Sequence, residues 1–197
     1  MTRELAPGSL ISEAQLAHEL DLGRTPVREA LARLKHFGFV ETHPRRGTLV
    51  AGVDVRKQLE LLEVRRPLET LMVVAACSRA SSAERVTMNR LADELNRAAK
   101  TADVYTYFRV NREIHEIEVT AAHNSMLTTT MQLIQAQSRW FWYIHVQQTG
   151  TFVEGAERHN AVLRAISKGD AAAASHAAEN LIQFLDKLTR SAIDTFH

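Results

Sequence analysis

The chain has 197 residues, with 24 Lys/Arg against 23 Asp/Glu and 45% hydrophobic residues, a length and balance suited to one or two domains with a real core. A formal net charge of +1, and seven Lys/Arg against six Asp/Glu over residues 1–50, exclude any reading built on bulk basicity, so a nucleic-acid contact must come from where charges are placed. The single cysteine, Cys77, excludes a disulfide framework within one chain, and no apolar run approaches a membrane span.

The first clear element runs over residues 12–20 (SEAQLAHEL). It opens with Ser-x-x-Gln, a capping-box pattern, and offers Ala14, Leu16, Ala17 and Leu20 as apolar residues. A short turn, Asp21-Leu22-Gly23, leads into a second helix that ends at Gly38. There Thr25 is the expected N-cap and Pro26 the first helical residue, where a missing N–H costs nothing. Val27, Ala30, Leu31 and Leu34 form one apolar stripe at i, i+3, i+4 and i+7, and Arg24, Arg28 and Lys35 lie along a neighbouring face. Residues 39–42 and 48–50 then read as two strands joined by the basic tip His43-Pro44-Arg45-Arg46-Gly47. Helix, Gly turn, capped helix and basic hairpin in this order predict a winged helix-turn-helix. Its second helix can enter a major groove, where arginine forks match guanine O6/N7.

Residues 5–50 resemble the DNA-binding domain of GntR-family bacterial transcription regulators. The likeness is carried by the entry Pro7-Gly8, the Leu16-Ala17 helix, the run from Arg24 to Leu31 (RTPVREAL) and a Gly-tipped wing. The resemblance implies that Arg24, Thr25 and Arg28 contact DNA from the recognition helix, and Arg45, Arg46 and Gly47 from the wing. Two departures stand out. Gly23 replaces the serine that usually precedes the first arginine, and only six residues precede Pro7, where the family has a helix. The expectation is a first helix that is lost or encoded upstream.

A junction at 51–53 divides a DNA-binding domain, 1–53, from an all-helical one, 54–197. Helices are expected over 54–64 and 68–80, with a break or kink at Pro67, then 82–100, 104–122, 125–147, 155–167 and 171–193, with Cys77 packed in the second. His159 shares its face with Val162, Leu163 and Ile166, and Asn111 and His115 lie one turn apart in line with Phe108. Polar groups on faces that should be buried need partners. Two imidazoles facing each other in a bundle suit a borderline divalent metal such as Zn²⁺ or Ni²⁺, and the alternative is that each hydrogen-bonds within the core. The aromatic cluster Trp140–Tyr143 cannot all face one way; part of it packs the core and part lines a pocket or an interface.

This second region resembles the FCD effector-binding domain of the FadR subfamily. The motifs are Glu63-Val64-Arg65 with Leu68-Glu69, the run from Asn111 to His115 with Asn124, Arg158-His159-Asn160, and Gly169-Asp170-Ala171. In many FCD domains an Asp and three His hold a metal that helps bind a carboxylate effector. His115 and His159 match two of those histidines, Asn111 stands at the Asp position, and Asn180 or Leu181 falls where the third His belongs, with His176 about a turn away. The resemblance therefore implies a pocket with Asn111, His115 and His159 as the reduced metal set. Arg65 and Arg139 are the cations available to an acid; an interhelical salt bridge is the alternative role for each.

The expected protein is mainly α, a winged helix-turn-helix followed by an FCD-type bundle. It is not an enzyme but a regulator, a homodimeric repressor on a palindromic operator, tuned by a small organic acid. With no signal-peptide pattern, its expected place is the cytoplasm. The competing readings are a helical metalloenzyme carrying a DNA-binding module, against which no nucleophile–base pair or HExxH is present, and a ligand sensor that no longer binds DNA.

Overall fold

The computed structural model describes residues 5–52 and 54–194, with side chains throughout except at 144–149 and 193–194. The chain forms two compact units that meet in sequence between Asp54 and Val55.

The first unit runs β1 (Leu10–Ile11), α1 (Glu13–Glu19), α2 (Arg24–His36), β2 (Val40–His43) and β3 (Gly47–Val50). Its sheet has the order β1-β3-β2, both pairs antiparallel, with Val40 opposite Val50 and Leu10 opposite Leu49. Strand β1 carries no sequence signal, because two residues are too few to show alternation. Ser12 caps α1 by accepting from Gln15 N at 3.3 Å, but the Gln15 amide reaches forward to Glu19 at 2.8 Å, leaving the capping box half made.

The start of α2 departs from expectation. Its N-cap is Gly23 (φ −67°, ψ 159°), with no side-chain cap, and Thr25 is already helical. Pro26 falls at the third helical position, still among the first-turn residues whose N–H groups have no helical partner, so the proline remains costless. At the other end Gly38 takes φ +75°, its N–H reaches Lys35 O at 3.0 Å and Phe39 N reaches Leu34 O at 2.9 Å, a Schellman closure. Ile11, Ala17, Val27, Leu31, Val40 and Val50 form the small core, while Leu34, expected on the apolar stripe, is 40% exposed.

Among the described residues the second unit is six helices: α3 (Val55–Arg79), α4 (Ser82–Lys100), α5 (Val104–Ala121), α6 (Ser125–Thr149), α7 (Phe152–Lys168) and α8 (Ala171–Asp194). Of the break or kink expected at Pro67, the break does not occur, and α3 is one helix of 25 residues. Pro67 and Glu63, whose carbonyl loses its helical donor to the proline, are both exposed. The helix thus carries its proline on an exposed face, where the carbonyl it leaves unpaired costs least. Helix α3 packs on α5, α6, α7 and α8, and α4 packs on α5 and α7. Leu62, Met72, Met88, Leu95, Ile114, Met131 and Ile166 are fully buried between them. Among the described residues no helix is long and apolar enough to cross a membrane.

Candidate functional site

Four helices aim polar side chains inward at one place in the second unit. Helix α5 brings Asn111 and His115 one turn apart on its buried face. Helix α7 brings His159, sharing that helix's buried face with Val162, Leu163 and Ile166, each fully buried. Helix α3 contributes Arg65 and α6 contributes Ser138 and Arg139, and all of these line one cavity of about 40 Å³. Leu181, Phe184 and Leu185 of α8, with Tyr107 and Trp142, make its apolar wall. Gly155 is required beside it, since a Cβ there would lie 2.6 Å from Tyr107 Oη. The five residues that the sequence nominated for effector binding thus come together.

The hydrogen bonds define what the cavity offers. Arg139 Nη1 lies 3.2 Å from His115 Nδ1, and a guanidinium can only donate. His115 Nδ1 is therefore the acceptor and its proton sits on Nε2. Asn111 Nδ2 lies 3.0 Å from His159 Nε2, and an amide nitrogen likewise donates, which puts the His159 proton on Nδ1. Arg65 donates through Nε to Glu69 Oε2 at 2.8 Å and through Nη1 to Ser138 Oγ at 3.2 Å; Ser138 Oγ also accepts from Gln58 at 3.3 Å. Among the described residues that line the cavity, four N–H donors remain buried without a protein partner: His115 Nε2, His159 Nδ1, Arg65 Nη2 and the Trp142 indole Nε1.

Burial holds both rings neutral at pH 7. It is the main cause that pushes His159 down to about 3, helped by the Arg65 charge. His115 is held well below the ordinary histidine range by burial first, then by Arg65, His159 and Arg139. Burial also lowers Arg139 from the usual guanidinium value. Behind Arg65, burial and the Glu69 charge push Glu118 well above the carboxylate range, and its carboxyl oxygens have no hydrogen-bond partner.

The residues present do not fit a divalent cation. Among the described residues no three His, Cys, Asp or Glu side chains are grouped to hold one. The cavity wall, among the described residues, has two guanidiniums and no carboxylate; of the two candidates for the third-histidine position, Leu181 lines the cavity and Asn180 is paired with the exposed His176. The acceptor lone pairs of the two rings face Arg139 and Asn111 instead.

In the first unit the nominated DNA contacts are all exposed: Arg24 and Thr25 in the first turn of α2, Arg28 one turn on, and Arg45, Arg46 and Gly47 at the hairpin tip. Arg28 Nε reaches Glu13 of α1 at 3.2 Å, which orients the side chain while leaving it 70% exposed. The tip closes through Arg46 N to His43 O at 3.2 Å with Arg45 at φ +67°, so Pro44 and Arg45 occupy the two central positions of a type II-like turn. Gly47 has φ +87° and lies against Leu10, leaving little room for a side chain.

Sequence reasoning missed Ser138 on the cavity wall and Gln58 and Glu118 behind it, each at most 3% exposed. A signal existed for Glu118, which continues the Asn111–His115 face at i+7. None existed for Ser138, whose importance depends on Arg65 arriving from another helix. The aromatic cluster divides as expected of a helix. Phe141 enters the core, Trp142 lines the cavity, and Tyr143 stacks on Trp140 and meets Phe108 edge-on.

Comparison with known proteins bears on both units. The family model described as "Bacterial regulatory proteins, gntR family" matches residues 1–50, and the FCD domain model matches residues 60–184. The chain is 30% identical over 141 residues to the Nta operon transcriptional regulator of Aminobacter aminovorans, an alignment covering 72% of this chain and 67% of that protein. It is 28% identical over 127 residues to the HTH-type transcriptional regulator YdhC of Bacillus subtilis, covering 64% of this chain and 57% of the relative. The matched stretches thus span between about half and two thirds of these curated relatives. In three dimensions the chain is similar to Escherichia coli McbR/YncC, with a TM-score of 0.81 at 22% identity over 96% of this chain and 90% of that one, a likeness of fold. These relatives are transcriptional regulators, not enzymes.

Proposed function

Because the chain belongs to the gntR family of bacterial regulatory proteins and carries an FCD domain, we propose that it is a cytoplasmic repressor whose operator affinity is set by a small organic acid bound in the helical unit. The observation that carries this is the convergence of Arg65, Asn111, His115, Arg139 and His159 on one cavity, with three of their N–H groups unmet. A buried donor without a partner costs about 1–3 kcal/mol, so three are a large share of a domain's net stability. An acceptor-rich ligand meets all of them at once, and by binding the folded state it stabilises the conformation that holds it.

The first unit supplies the reading end. Arg24, Thr25 and Arg28 at the start of α2 are set to meet base edges and phosphates, and Arg45 and Arg46 to meet the backbone beside them. One short recognition helix reads too few base pairs, so the protein acts as a homodimer on a palindromic operator. Electrophoretic mobility shift of the full chain on the DNA upstream of its own reading frame, at several salt concentrations and with an organic-acid panel, tests this. We expect a discrete complex weakened by Arg24→Ala and Arg28→Ala and shifted by at least one acid. Operator affinity that no acid changes would refute the ligand-responsive part, and unchanged affinity in both arginine variants would refute the assigned DNA face.

A further inference from the structure

We infer that the cavity binds a short monocarboxylate directly, with the Arg139 guanidinium and the two histidine N–H groups as its partners and no metal ion between protein and ligand, which rests on the ligand-responsive reading above.

The charge balance points this way. Among the described residues, two guanidiniums and no carboxylate line the cavity. Arg65 is already paired with Glu69, whereas Arg139 contacts His115 and, among the described residues, forms no ion pair. Arg139 is therefore the guanidinium at the site without a direct anionic partner; the acidic group that acts on it, Glu116, is already paired with Arg112 at 3.5 Å. A divalent cation would have to enter beside that guanidinium without a neutralising anion, which Coulomb repulsion in a low-dielectric site opposes.

The proton positions point the same way. A metal needs ring lone pairs. Here the lone pairs of His115 and His159 face the donors Arg139 Nη1 and Asn111 Nδ2, and the other ring nitrogens carry the hydrogens. Turning both rings into ligands would require moving two protons and displacing a guanidinium. As it stands, the set consists of donors, and a carboxylate is an acceptor-only group with about four lone-pair sites. It matches the unmet His115 Nε2, His159 Nδ1 and Arg65 Nη2 together with Arg139.

Size narrows the class. A water needs roughly 10–15 Å³ of such space, so a cavity of about 40 Å³ admits only a few non-hydrogen atoms. Tyr107, Phe184 and Leu185 leave an apolar wall for a short carbon tail.

Propionate, its neutral amide propionamide, and benzoate are the probes. Full-length protein is stripped with EDTA, and binding is followed by calorimetry and thermal shift. We expect propionate to bind and raise Tm in stripped protein, propionamide to do neither, benzoate to bind more weakly, and added Zn²⁺ or Ni²⁺ to leave propionate affinity unchanged. Arg139→Gln should weaken propionate at least tenfold while circular dichroism stays that of the parent, and Arg139→Lys should recover part of the loss. Binding that disappears with EDTA and returns with Zn²⁺ overturns the metal-free site but leaves the ligand-responsive reading standing. Undiminished propionate affinity in Arg139→Gln, or benzoate binding tighter than propionate, overturns it too. If no acid binds with or without metal, both readings fall.

Discussion

His159 is a ring that folding forbids to ionise, and that makes it a measurable source of acid sensitivity. In the unfolded chain it takes a proton near 6.5, whereas burial and Arg65 hold it down to about 3 in the folded protein. Between those values the unfolded state binds more protons, so stability falls as pH drops from about 6.5 toward 3. His115 acts in the same direction, and Glu118, with its raised value, acts in the opposite one. The expected result is therefore a difference. His159→Gln, compared with the parent by urea denaturation at pH 7 and pH 4.5, should lose less stability on acidification; an equal loss would mean the ring is accessible to protons when folded. At the wing, Arg45 sits at φ +67°, a backbone state that costs a non-glycine residue about 1–2 kcal/mol, partly offset in any glycine variant by about 0.5–1 kcal/mol of entropy. Arg45→Gly should be as stable as the parent or up to about 1 kcal/mol more so. Its operator binding should weaken and the salt slope fall by about one, the signature of a lost phosphate contact.

At the scale of elements, the ends of helices carry much of the information. Arg85 on α4 donates to Cys77 O at 2.7 Å, Ala80 O at 3.1 Å, Ile166 O at 2.5 Å and Ser167 O at 3.2 Å. One guanidinium thus closes the C-terminal ends of both α3 and α7, where unpaired carbonyls and the helix dipole favour a cation. Arg85→Ala should cost about 2 kcal/mol, the scale of hydrogen bonds to a charged group, and Arg85→Lys should not restore it, because an ammonium lacks the fork. A loss under about 0.5 kcal/mol would place these carbonyls in the care of water instead. In α3 the strain lies at Pro67. Since the helix continues through it, Pro67→Ala restores an N–H for the Glu63 carbonyl and should stabilise the unit by about 1–3 kcal/mol in thermal unfolding. Destabilisation would show that the proline ring is packed rather than tolerated.

At the scale of the whole molecule, the two units keep separate cores, one around Val27 and Leu31 and the other around Met72, Leu91 and Ile166. Residues 55–197 expressed alone should fold, remain helical by circular dichroism and retain the propionate response of the full chain. By sedimentation the fragment should also be dimeric. A monomeric fragment beside a dimeric full chain would move the two-fold contact to the DNA-binding unit.

The amino-acid order alone determined what depends on near neighbours. The α2 stop at Gly38, the wing tip from His43 to Gly47, the α8 start at Asp170 and the inward faces of Asn111, His115 and His159 all follow from turn chemistry and helical period, which act within a few residues. Even locally, neighbours competed. Gly23 took the cap expected of Thr25, and Pro67 was carried through a helix on a face where it and Glu63 are both exposed. Only the tertiary structure decided which polar groups meet. Arg139 and His115 are 24 residues apart, Asn111 and His159 are 48, and Arg65 and Ser138 are 73. Periodicity places a side chain on a face, but packing across those distances chooses its partner. That choice sets which ring nitrogen keeps its proton, and so whether the cavity presents lone pairs to a metal or hydrogens to an acid.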